Sequence, residues 1–98
     1  MKVDIKRLFN ELVAGGTEPY YKEIEYRFMM SAALTNNNAT CGDVNRNHVN
    51  YGACTAWAKV LDDMGHETEV PVYEENGFLR IPYLKVDGKK TIEFERRD

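Results

Sequence analysis

At Gly65 the apolar spacing of this chain changes from helical to alternating, which confines the fold to helices followed by strands. Upstream, Ala53, Trp57, Val60, Leu61 and Met64 form a stripe at the 3.6-residue period. They predict a helix beginning at Asn50 or Tyr51 and ending at Met64, with Gly65 as its stop. Downstream, residues 68–73, 78–86 and 91–95 read with period two, separated by the hairpin-forming dipeptides Asn76-Gly77 and Asp87-Gly88. The expected product is a three-stranded antiparallel β-meander. Two-residue loops would align Val72, Ile81 and Phe94 in one row and Val70, Tyr83 and Ile92 in the next. The hydrogen-bond alternation then demands one irregularity. Either a loop is a three-residue turn with a glycine bulge, or the central strand bulges near Pro82 and turns Leu84 and Val86 inward.

Nearer the N-terminus, Ile5, Leu8, Phe9, Leu12 and Val13 predict a helix over 4–14, ended by Gly15-Gly16. Thr17 then reads as an N-cap, with Pro19 in a first turn where its missing N–H costs nothing. Tyr21, Ile24, Phe28 and Ala32 would share one face of this next helix. Residues 24–28 also alternate as a strand would, but the run Met29-Met30-Ser31-Ala32-Ala33-Leu34 favours helix. The fold class is therefore α+β, with two or three N-terminal helices followed by the meander. A chain of 98 residues has surface enough to bury only one core, so residues 1–98 are read as one domain.

Between the predicted helices, residues 36–50 include six asparagines and little apolar material beyond Val44 and Val49. The expectation is a loop that moves freely without a partner, and long loops of this kind commonly bind something. Asn45, Asn47 and His48 are its candidate binding residues. Tyr20, Tyr21, Tyr26 and Phe28 cannot all face one core, so Tyr20, Tyr21 and Tyr26 join them as candidates. Trp57, the only tryptophan, is expected to anchor the core.

Several short patterns resemble known chemistry. The run Gly52-Ala53-Cys54-Thr55-Ala56-Trp57-Ala58 places a thiol near a predicted helix N-terminus, where the dipole favours the thiolate. It resembles the nucleophile helix of papain-like and transglutaminase-like thiol enzymes. That implies Cys54 as nucleophile with His48 as the available base, although those folds take their histidine from a strand after the helix. Cys54 together with Ile81-Pro82-Tyr83-Leu84-Lys85-Val86-Asp87-Gly88-Lys89 also resembles the helix start and proline-bearing strand of glutaredoxins. Trp57 stands where their second cysteine would be. Asp43-Val44-Asn45-Arg46-Asn47 resembles the start of an EF-hand loop, but His48 occupies the turn-glycine position and Cys54 the closing glutamate position. Cys41, His48, Cys54 and His66 lack the paired short spacings of a zinc site. No metal or cofactor is expected, and Cys41 and Cys54 are read as free thiols.

Charge divides the chain unevenly. Residues 1–50 are balanced, and the net charge of −3 arises in the second half, where Asp62, Asp63, Glu67, Glu69, Glu74 and Glu75 precede Arg80, Lys85, Lys89 and Lys90. Acidic and basic strands are expected to pair across the sheet. Helices followed by a hairpin also resemble a winged-helix DNA-binding domain. The predicted third helix, however, carries Lys59 against Asp62 and Asp63, so nucleic acid is not the expected partner. No apolar run approaches the length of a membrane span, and no apolar stretch follows the basic N-terminus as in a secretory signal. The cytoplasm is the expected location and a protein the expected partner. The leading expectation is a small non-enzymatic binding or regulatory protein, such as an inhibitor or accessory factor of a phage or mobile element.

Overall fold

The computed structural model describes residues 18–95. The helix expected over 4–14 and the proposed N-cap at Thr17 lie outside them. Two helices, α1 (Glu18–Cys41) and α2 (Val44–Asp63), form an antiparallel hairpin, and five short strands follow. These are β1 (Thr68–Glu69), β2 (Tyr73–Glu75), β3 (Phe78–Arg80), β4 (Tyr83–Val86) and β5 (Lys89–Glu93). The α+β class therefore holds. The strands make two small antiparallel sheets, β1-β4-β5 and β2-β3, in place of one continuous three-stranded meander.

The expected loop over 36–50 is helical except at Gly42 and Asp43. Gly42 takes φ +77°, and the Asp43 N–H reaches back 2.9 Å to the Asn38 carbonyl, closing α1 with a left-handed turn. The Asp43 carboxylate then accepts from the Arg46 N–H at 3.1 Å and caps α2. Asparagine is a poor helix former, but several of these side chains have tertiary partners that outweigh a few tenths of a kcal/mol of propensity each. The expectation of a mobile loop is thus overturned, and α2 begins six residues before the predicted start.

The apolar spacing of α1 was legible: Phe28 and Ala32 are fully buried, with Tyr21 and Ile24 packed beside them. On α2 the inward stripe is Asn47, Cys54, Ala58 and Leu61, displaced from the predicted one. Trp57 is only partly buried at the edge of the core, and Val60 is exposed. Small residues face α1 because Cys54 and Ala58 let the helices approach closely, which the bulky indole would prevent. Ile81, Leu84 and Val86 complete the core from the strands.

Both hairpins turn in two residues, with Asn76 and Asp87 each at φ +54° and Glu75↔Phe78 and Val86↔Lys89 as closing pairs. Continuing the β2-β3 register inward would set Pro71 opposite Pro82. Neither has an N–H to give, so the ladder ends there. When it resumes, Glu69 pairs with Lys85 and Thr68 with Val86, one residue out of step with β2-β3. The register changes twice rather than once, at Ile81-Pro82 between the two sheets and again between Leu84 and Lys85 in the β4-β5 pairing, and Leu84 and Val86 are buried. The predicted rows do not form: Ile92 faces Leu84, Tyr83 faces Glu93, and Val72 is exposed.

Two asparagines join the layers. The Asn47 carboxamide, fully buried, donates to the Leu79 carbonyl at 2.9 Å and accepts from the Leu79 N–H at 2.8 Å. Its second hydrogen reaches the Thr35 carbonyl at 2.8 Å. Asn36 treats Ile81 in the same way, at 2.9 and 2.8 Å. Leu79 and Ile81 are two apart, so their backbone groups point to one side, away from β2. Each carboxamide there replaces a neighbouring peptide.

Asn47→Ala would leave both backbone groups of Leu79 without their side-chain partner and is expected to cost about 2–4 kcal/mol. Asn45→Ala, two residues away and exposed, should stay within about 0.5 kcal/mol of wild type. Urea melts of the two variants measure the contrast, and equal midpoints would show that the carboxamide bridge contributes little.

Candidate functional site

The candidate residues separate into structural and exposed groups. Asn47 is the bridge just described, and Asn45 is exposed on the first turn of α2. His48 Nε2 lies 3.3 Å from the Gly77 carbonyl, where it can steady the β2-β3 hairpin. The EF-hand-like triplet is dispersed, with Asp43 serving as cap, Asn45 facing solvent and Asn47 facing the core. Asn38 and Asn50 meet across the helical hairpin. With its amide nitrogen turned inward, Asn38 donates to the Leu34 carbonyl at 2.9 Å and the Arg46 carbonyl at 3.1 Å.

Cys54 sits in the middle of α2 rather than at its start, so the N-terminal dipole expected to activate it is about two to three turns away. The thiol is fully buried. Burial pushes its pKa up to about 11, and a hydrogen bond with Ser31 offsets only part of that rise. His48 lies six residues earlier on the same helix, about 9 Å along the axis and about 120° around it. The two cannot meet as nucleophile and base. Cys41 is exposed at the end of α1, both thiols are free, and no group of metal-ligating side chains converges among the described residues.

A histidine–carboxylate pair occurs at the other end of α2. His66 Nδ1 and the Asp87 carboxylate are 2.7 Å apart, and the other Asp87 oxygen accepts from the Glu67 N–H at 2.9 Å. Tyr21 stacks on the imidazole at 4.3 Å between ring centres. Asp62 accepts from both the N–H and the hydroxyl of Thr68, at 3.0 and 2.9 Å. The Asp87 bonds fasten the β4-β5 turn to the segment following α2, and the Asp62 bonds fasten β1 to the last turn of α2. The His66 hydrogen bond, with the Glu67 N–H behind it, lowers the Asp87 pKa from the ordinary carboxylate value.

The remaining candidate feature is the outer face of the helical hairpin. Tyr26, Met30 and Leu34 recur every four residues on α1 and are 56%, 41% and 42% exposed. Tyr26 and Met30 stand about 200° around the helix from Phe28, so they face away from the core. Together with Ala53 and Trp57 of α2 they line a shallow groove between the helices, closed at its rim by Glu23, Arg27 and Asn50. Arg27 is held at 3.0 Å by Glu23, and its guanidinium carbon lies 5.6 Å from the Trp57 ring centre. Of the predicted binding tyrosines, Tyr26 belongs here. Tyr20 is exposed nearer the start of α1, and Tyr21 is turned to His66. Sequence reasoning missed Met30, Leu34 and Trp57 as surface residues because each falls within an apolar run. The four-residue spacing from Tyr26 was the available signal.

Acidic and basic strands do pair in places. Glu69 lies 3.8 Å from its ladder partner Lys85, and Arg80 lies 3.3 Å from Glu95. The exposed surface of α2 carries Arg46 and Lys59 alongside Asp62 and Asp63, a mixture that does not concentrate positive charge. Among the described residues no helix is long and apolar enough to cross a membrane. Comparison with protein families, with curated proteins and with solved structures finds no match to this chain.

At pH 8 a thiol with a pKa near 11 is about one part in a thousand ionised. A maleimide should therefore label Cys41 in the folded chain and Cys54 only on unfolding, as read by mass spectrometry of peptides. Comparable labelling rates for the two under native conditions would show that Cys54 is accessible.

The lowered pKa of Asp87 stabilises the fold above the ordinary carboxylate range, and that contribution is lost as pH falls through the folded-state value. Asp87→Asn should accordingly lower the thermal midpoint at neutral pH. The gap from wild type should close as the solution becomes strongly acidic. A gap independent of pH would assign the effect to the turn rather than to the charge.

Proposed function

We propose that this chain is a small non-enzymatic binding protein that works through protein–protein contact, using the outer face of the α1-α2 hairpin. The observation that carries the reading is the row Tyr26, Met30 and Leu34, large apolar side chains left exposed beside Trp57. Tyrosine, tryptophan, methionine and arginine are the residue types enriched where proteins dock, and all four meet in this groove. A trough between two helices accepts a third helix in the manner of helix-in-groove recognition, with anchors at intervals of three and four residues. The partner chemistry is therefore an amphipathic helical segment.

The burial of Cys54 and its separation from His48 argue against a thiol enzyme. The two thiols and two histidines do not gather, and Asn36, Asn38, Asn47 and Asn50, from the stretch expected to form a binding loop, are hydrogen-bonded within the fold. The apolar groove gathers Tyr26, Met30 and Leu34 beside Trp57 in one place.

A Tyr26→Ala, Leu34→Asp variant should keep the wild-type circular dichroism spectrum, because both side chains are exposed. With the tagged wild-type chain used to capture a protein partner from lysate, the variant's affinity for that partner should be lower by about 30-fold or more, the loss of at least one hot-spot contact. A Glu67→Gln, Glu69→Gln, Glu74→Gln variant should bind as wild type does. If the folded groove variant binds unchanged, or the glutamine variant alone loses binding, the docking surface is not this groove.

A further inference from the structure

We propose that the outer face of the helical hairpin is covered by the same face of a second copy, so that the chain pairs as an antiparallel, two-fold symmetric four-helix bundle. The inference rests on reading that face as a docking surface and names its occupant. The face is wider than the groove. On α2, Val49, Ala53, Ala56 and Val60 fall within about 60° of one another around the helix, about 140° from the stripe that packs inward. Val49 and Val60 are 71% and 36% exposed, so both helices show apolar side chains on the side turned from the core. A single helix laid in the groove would leave the two valines in water, whereas a second two-helix layer covers them.

The order of residues along the face reads alike in both directions, as a two-fold interface requires of a self-complementary surface. On α1, Tyr26 and Leu34 stand four residues to either side of Met30. On α2, Ala53 and Ala56, then Val49 and Val60, stand at equal distances from a point between Cys54 and Thr55. The two centres are level across the hairpin, because Ser31 meets Cys54 and Arg27 meets Trp57. One axis through both sets Met30 against its own counterpart, Tyr26 against Leu34, alanine against alanine and valine against valine. The same alignment brings Arg46 level with Asp63 and Glu23 level with Asn37, so no like charges oppose one another.

Gly52 supports the same contact. It lies exposed in the middle of α2, where glycine is less favourable than alanine, and an added Cβ would meet nothing within 4 Å in the chain itself. A second α2 closing over Gly52, Ala53 and Ala56 supplies the near neighbour that the single chain lacks. Size fits as well. The large apolar side chains of the face leave on the order of 500 Å² in water, and with its small residues and charged rim the face matches the roughly 800 Å² that each partner gives to a standard interface.

Sedimentation equilibrium of the full chain, in reducing buffer so that the exposed Cys41 does not link copies, should show monomer and dimer exchanging in the micromolar range. Trp57 emission should move to shorter wavelength as the dimer forms, because the ring borders the face. Met30→Asp sets two carboxylates against each other on the axis and should weaken pairing about 100-fold or more. Arg46→Asp or Asp63→Arg alone should weaken it about tenfold, and the two together should restore it, a rescue that requires α2 to lie antiparallel to its own copy. A monomer at every concentration would overturn the proposal and leave the face to a helix of another protein. So would a dimer that Met30→Asp leaves intact, or a loss of pairing that the double charge exchange does not rescue. These readouts use the purified chain alone. Their failure leaves the lysate test of the Tyr26, Leu34 variant standing, and failure of that test leaves the sedimentation result intact.

Discussion

The fold depends on two carboxamides that complete a strand from a helix. Asn47 and Asn36 supply to Leu79 and Ile81 the paired donor and acceptor that a neighbouring peptide would have supplied, and Asn47 is wholly enclosed while doing so. Hydrophobic contact alone would let the small β2-β3 sheet slide over the helical hairpin, because burial is not directional. Hydrogen bonds with defined geometry fix its position and height. Once Asn36 is bonded to Ile81, the chain is held where the two prolines interrupt the ladder. The second sheet can then start in a new register with Leu84 and Val86 facing inward.

This interaction also explains where the sequence misled. The helical face of α1 could be read from Tyr21, Ile24, Phe28 and Ala32 because burial there is apolar. The tight turns were legible in Asn76-Gly77 and Asp87-Gly88, and the stop of α2 in Gly65. Residues 36–50 were read as a loop because local propensity counts asparagine as a turn former, and nothing local signals a partner 32 or 45 residues away. The stripe on α2 was placed one position off because size was taken as the mark of burial. Where two helices press closely, the buried positions go to Cys54 and Ala58, and Trp57 moves to the rim. Pro71 and Pro82 do face each other in the simplest register, so the division into two sheets was present in the sequence once pairing was followed residue by residue.

The candidate site follows from the same displacement. Moving the bulky residues of α2 off the contact with α1 places Trp57 beside Arg27 and Tyr26, and it encloses the thiol that resembled a nucleophile. One choice of packing face thus buries the thiol and leaves large apolar side chains exposed on the outer face of the hairpin. The His66–Asp87 pair has the composition of a catalytic dyad, yet both Asp87 oxygens are engaged with groups that hold the β4-β5 turn to the segment following α2.

The paired asparagines have an effect on the molecule's behaviour toward other chains. A short strand next to a helical layer ordinarily presents a row of vacant amide and carbonyl groups, the template on which foreign strands add and cross-β aggregates grow. On the side of β3 facing the helices those groups at Leu79 and Ile81 are already taken, and by side chains that cannot be extended into a further strand. That margin is closed to β-augmentation.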